Sequence, residues 1–105
     1  MDAIDRLRQM CGGPRDGALL RVSLAHALLS QGDKRAAIEE LRAALKFDPD
    51  YSAAWKLLGK TLADTGERDA AVDAYRHGIA AALKRGDKQA HKEMSVFLRR
   101  LERAR

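Results

Sequence analysis

The groups in this chain that could do chemistry are three histidines, one cysteine and fifteen acidic residues. His26, His77 and His91 fall in separate segments and gather no set of Cys, His and carboxylate ligands at metal-binding spacing. Cys11 is the single thiol, which excludes an internal disulfide and a cysteine-based zinc site. It follows Met10 at the end of a short apolar stretch, the setting of a small buried hydrophobe rather than of a nucleophile. Glu39 and Glu40 are consecutive, so on a helix they point apart and cannot work as a carboxylate pair. They are expected to form spaced ion pairs with Arg35 and Arg42 on a wet face. The chain has no Gly-x-Ser-x-Gly, no P-loop and no Gly-x-Gly-x-x-Gly. Neither an enzyme, a metal nor a cofactor is expected.

Cations are better placed than acids to do something. Lys56 and Lys60 are one turn apart on a helix, so their ammonium groups can converge on one acidic group. The net charge of +5 is concentrated at one end: eight cations against three acids from Lys84 onward, and twelve of each before it. Such a terminus can attract nucleic acid or an acidic protein surface, and a last helix with one wet face carries the same charge for solubility alone. No aromatic platform is interleaved with these basic residues, because Phe97 falls on the apolar stripe, which argues against nucleic acid.

The elements that must position these groups are helical. At 105 residues the chain has the length of one domain. Aromatics make up 5% and β-branched residues are few, so the core is built mainly from Leu and Ala. Breaks at Gly12-Gly13-Pro14, Gly32-Asp33, Asp48-Pro49-Asp50, Gly66-Glu67 and Gly86-Asp87 divide six helical patterns at 2–11, 16–31, 34–47, 51–65, 67–85 and 88–104. Each has apolar residues at i, i+3, i+4 and i+7, and nothing alternates with period two. Asp50 and Asp87 are expected to cap the helices that follow them. The first ten residues alternate acids and bases where a signal peptide needs an apolar stretch. The longest apolar run, Ile79–Leu83, is too short to span a membrane, so the cytoplasm is the expected compartment.

The central helices repeat at an offset of 34. Leu24 matches Leu58, Leu28 matches Leu62, Gly32 matches Gly66, Ala36-Ala37 matches Ala70-Ala71, and Arg42 matches Arg76. The second copy, with Trp55, Leu58-Gly59, Leu62, Ala71, Tyr75 and Gly78, resembles the tetratricopeptide repeat. The first, with Leu24-Ala25, Leu28, Ala37, Leu41, Ala44 and Pro49, resembles it too. Arg21 stands where the family has an aromatic, and Leu83 takes the place of the closing Pro, which lets the fifth helix run about one extra turn to Arg85. The resemblance implies an all-α, right-handed solenoid of about six antiparallel helices. Residues 18–51 and 52–85 would be the two repeats, 2–11 an N-terminal half-repeat and 88–104 a C-terminal capping helix.

The resemblance also implies that the first helix of each pair lines a concave groove taking a peptide or helix of a partner protein. The matching positions are Leu19, Val22, His26 and Leu29 in the first repeat and Ala53, Lys56, Lys60 and Asp64 in the second. Lys92, Val96 and Arg99 would extend the groove if Met94, Ser95 and Leu98 are buried. The partner implied is a protein or peptide, acidic with one or two apolar anchors. The two-carboxylate clamp of chaperone-binding members is missing, since Val22, His26 and Leu57 hold its positions. The alternatives are nucleic-acid binding through the last helix and weak homodimerisation through incompletely covered repeat ends.

Overall fold

The computed structural model describes residues 2–104. Arg105, counted in the basic tail, lies outside the described residues. Among the described residues there are six helices and no strand, in two compact units that divide the chain between Asp48 and Pro49.

The first unit holds α1 (Ala3–Met10), α2 (Ala18–Ser30) and α3 (Lys34–Phe47). Asp2 caps α1 by accepting from the Asp5 amide at 2.9 Å, and Ile4 is buried. α2 starts two residues later than the periodicity suggested, because the Asp16 side chain is used in the turn ahead of it. Its carboxylate accepts from the Gly12 amide at 2.7 Å and from the Gly17 amide at 2.9 Å. Leu20, Val22, Leu24, Ala25 and Leu28 of α2 are buried, as are Ala37, Ile38, Leu41, Ala44 and Leu45 of α3. The turn between them places Gly32 at φ 79°, a conformation that costs any residue with a Cβ, and Asp33 then caps α3 through the Ala36 amide at 3.2 Å.

The second unit holds α4 (Ser52–Asp64), α5 (Arg68–Arg85) and α6 (Lys88–Arg103). Asp50 does not cap α4: Tyr51 holds the N-cap position without a side-chain bond, and the Asp50 carboxylate is drawn 2.8 Å from Lys84 Nζ instead. Glu67 likewise makes no cap bond and accepts from the Thr65 hydroxyl at 2.6 Å. Asp87 caps α6 as expected, accepting from the Ala90 amide at 3.0 Å, and also takes the Ser52 hydroxyl at 3.1 Å. α5 runs eighteen residues against fourteen in α3, the extra turn that Leu83 in place of Pro permits.

α6 lies over the end of this hairpin. Tyr75, Ala82, Ala90 and Met94 form a buried cluster with Trp55, Ile79, Phe97, Leu98 and Leu101 packed against it. Two glycines make the close approach possible. A Cβ on Gly59 would stand 2.7–2.8 Å from the Tyr75 ring, and one on Gly78 would meet the Met94 sulfur and the Trp55 Cβ. The end of α6 is tied down by Arg68, whose guanidinium donates twice to the Leu101 carbonyl, with Nε at 2.9 Å.

Candidate functional site

The residues singled out for recognition divide into exposed faces and groups already engaged within the protein. On α2, Leu19 is 70% exposed and His26 is exposed, while Leu29 is half-buried. Val22 does not join them. It is 7% exposed, because α2 is apolar on most of its circumference and the buried arc takes in Val22 with Leu20 and Leu24.

Arg21, between these positions, is a structural centre that sequence reasoning missed. Its Nε and second terminal nitrogen grip both oxygens of Asp16 at 2.9 Å each, and its remaining nitrogen meets Glu40 Oε1 at 2.9 Å. Its guanidinium also lies 6.0 Å from the centre of the Phe47 ring. Glu40 therefore pairs with Arg21 of the neighbouring helix, a partner outside its own helix. The Arg21 hydrogen bonds, joined by the Gly12 and Gly17 amides, hold the Asp16 carboxyl well below the usual range, and both acids raise Arg21 further above its own. Burial pushes the nearby Cys11 thiol up, and its sulfur donates to the Leu7 carbonyl at 3.6 Å, the behaviour of a packing residue.

In the second unit, Ala53, Lys60 and Asp64 of α4 are exposed on one side of the helix. Lys56, expected to converge with Lys60 on a ligand, is half-exposed, and its Nζ already meets Glu93 Oε1 of α6 at 3.1 Å. The two lysines are thus unequal: one is paired across helices, the other stands in solvent. Trp55 is held at both ends of its indole. Its Nε1 donates to the Pro49 carbonyl at 2.7 Å, and its ring stacks on His77 with centroids 4.9 Å apart and planes 17° from parallel.

The register of α6 follows from burial. Ala54 and Leu58 of α4 are buried, and so are Ala90 and Met94 thirty-six residues on. By that correspondence Lys92, Val96 and Arg100 hold on α6 the places of Lys56, Lys60 and Asp64 on α4. These three line a surface pocket of about 220 Å³ together with Gln89, Glu93 and Phe97. Arg99, expected beside Lys92 and Val96, is exposed but does not line it.

No cluster of three or more His, Cys, Asp or Glu side chains that could hold a metal occurs among the described residues. No helix among them is long and apolar enough to cross a membrane.

Residues 18–61 match the tetratricopeptide repeat family. The whole chain is 47% identical over 102 residues to a TPR repeat-containing protein of Pseudomonas aeruginosa, covering 97% of each. The structure is similar to the solution structure of a Bordetella parapertussis protein, with TM-score 0.82 and 47% identity over 99% of this chain and 90% of that one. It is also similar to the Sgt2 TPR domain of Aspergillus fumigatus, with TM-score 0.76 and 30% identity over 97% of this chain and 65% of that one. With six helices among the described residues, a 34-residue repeat and these relatives, the chain belongs to the tetratricopeptide repeat family, whose members generally act as scaffolds that bind other proteins.

Proposed function

We propose that this protein is a non-catalytic scaffold that holds a peptide or helix of another protein against the open faces of its first-in-pair helices. The observation that carries the reading is the one-sidedness of those helices. On α4, Ala53, Lys60 and Asp64 are exposed while Ala54, Leu58 and Leu62 are buried, and on α2 Leu19 and His26 stay exposed. Side chains left without a role in the core are free to contact a partner. Residues 18–51 and 52–85 are read as the two repeats and 2–11 as a half-repeat. α6 is read as the cap, since a stacked hairpin needs an end with a polar outer face. Lys88, Lys92, Arg99 and Arg103 supply that polarity.

Affinity capture from the native lysate tests the reading when three variants are run beside the wild-type chain. Leu19→Asp and Lys60→Glu are expected to lose the captured protein, whereas Arg42→Glu on α3 retains it. Unchanged capture by both open-face variants would remove the proposal.

A further inference from the structure

The pocket on α6 has a composition that specifies more than a generic protein surface. Lys92, Val96 and Arg100 follow one another at four-residue intervals, so they line up along the helix, with Phe97 forming the apolar wall beside Val96. Val96 and Phe97 are half-buried, which leaves part of each apolar surface open to solvent. Lys92 is exposed and has no ion pair among the described residues. Arg100 is exposed too, and its guanidinium rests 5.9 Å from the centre of the Phe97 ring. The acid that lines the pocket, Glu93, has its charge met by Lys56 at 3.1 Å. The result is an apolar dimple with an exposed cation, paired to no carboxylate among the described residues, at each end.

We infer that this pocket binds an extended acidic segment of a partner protein in which an apolar side chain is flanked, two residues away on either side, by carboxylates. The inference rests on the scaffold reading above and names the chemistry of the partner at this end of the chain. Spacing selects the pattern. Lys92 and Arg100 are eight residues apart, about 12 Å along the helix axis. In an extended chain, side chains at i, i+2 and i+4 share one face and span about 13 Å. An acid–x–apolar–x–acid segment therefore sets its central side chain on Val96 and Phe97 while its carboxylates reach Lys92 and Arg100. A helical partner fits less well: it would need an apolar stripe to pack on, and this face of α6 offers only Val96 and Phe97.

The test is residue-resolved titration of the isotope-labelled full chain by NMR with a defined nonapeptide, acetyl-Gly-Ser-Glu-Ala-Leu-Ala-Glu-Ser-Gly-amide. Saturable shifts centred on Gln89, Val96 and Phe97 are expected, with a Kd of about 0.1–1 mM for so small a contact. Raising the salt is expected to weaken binding. Lys92→Glu combined with Arg100→Glu is expected to weaken it roughly tenfold or more, and Arg99→Glu, outside the pocket, to leave it nearly unchanged. Shifts confined to α2 or to Lys60 and Asp64 of α4 would overturn this inference and leave the scaffold reading standing. No shift anywhere would also overturn it, and the capture experiment decides the broader reading separately. Equal binding of a peptide with its acids and leucine at four-residue intervals would overturn the extended geometry. Equal displacement by oligothymidylate would reduce the pocket to charge alone. Concentration-dependent shifts without peptide would make the occupant a second copy of the chain.

Discussion

Position 21 in the first unit and position 55 in the second are equivalent by the 34-residue repeat, and opposite chemistries fill them. Arg21 is fixed by two acids, Asp16 and Glu40, at 2.9 Å. Trp55 is fixed by a stack on His77 and one hydrogen bond to Pro49. The surrounding positions have adjusted to each. Where the first unit has Ala25, Leu41 and Ala44, the second has Gly59, Tyr75 and Gly78, all buried. The second unit carries larger rings and gives up side chains beneath them, so its helices close by interlocking. The first keeps its alanines and closes its entry turn with charge. One repeat geometry thus tolerates two ways of filling the same space, provided that neighbouring volumes change together.

The largest effect should come from removing what only the second unit has. Deleting 88–105 uncovers Tyr75, Ala82 and Trp55 at once. Truncating a buried residue such as Met94 alone costs about 2–5 kcal/mol. The deletion is therefore expected to lower Tm by roughly 10 °C or more and to make the chain self-associate, as read by calorimetry and by sedimentation at two concentrations. An unchanged Tm in a monomeric truncation would show that α6 is dispensable to the hairpin beneath it.

A matched pair of substitutions sharpens the comparison next. Helix propensity alone makes Gly78→Ala stabilising and Ala44→Gly destabilising by similar amounts, about 1 kcal/mol. Packing reverses the first sign. A Cβ at position 78 would stand 2.7 Å from the Trp55 Cβ, which is not the free end of a flexible chain, and closer still to the Met94 sulfur. Gly78→Ala is expected to cost about 1–3 kcal/mol, and both variants then destabilise in urea titrations. A gain from Gly78→Ala would mean that Met94 and α6 shift without penalty, and that the glycine is not what sets the helix spacing.

Much of this architecture was legible in the sequence, for local reasons. Gly32, Gly66 and Gly86 with the acids after them marked the turns, and the missing Pro at Leu83 foretold the length of α5. What stayed hidden was pairing between helices. Glu40 finds Arg21 nineteen residues back, and Glu93 finds Lys56 thirty-seven residues back, separations on which helical periodicity is silent. Val22 was misplaced for a different reason. A helix carrying Leu19, Leu20, Val22, Leu24, Leu28 and Leu29, with Ala25 and Ala27 among them, is apolar nearly all round, so its pattern does not choose an inward side. The α6 pocket escaped for a third: a longer α5 shifts the repeat from 34 to 36 residues, so the places of Lys56, Lys60 and Asp64 fall on Lys92, Val96 and Arg100 rather than two residues earlier.

The two closures also predict sensitivity at opposite ends of the pH scale. The Asp16 carboxyl is held below its unfolded range, chiefly by its hydrogen bonds from Arg21. Its contribution is present above about pH 4 and is lost as pH falls through the lower folded value. Amides of the Gly12–Gly17 turn are expected to lose exchange protection there first, and Arg21→Met should remove most of that acid dependence while lowering Tm by a few degrees at neutral pH.

On the alkaline side the second unit's group is Tyr75, whose place in the first unit is held by Leu41. Burial, helped by the charge of Asp64, pushes its hydroxyl up to about 12. The unfolded chain releases this proton near pH 10 and the folded one does not, so stability is complete below that point and falls as pH rises toward 12. Trp55 is the single tryptophan, and it packs against the same cluster as Tyr75, so its fluorescence reports the loss. Urea midpoints followed by that signal should decline over this window in the wild-type chain and stay flatter in Tyr75→Phe, which keeps the ring that Gly59 accommodates. A decline of equal slope in both would place the alkaline weakness elsewhere, as at the Cys11 thiol that burial also pushes up, and the aromatic closure of the second unit would then carry no pH signature of its own.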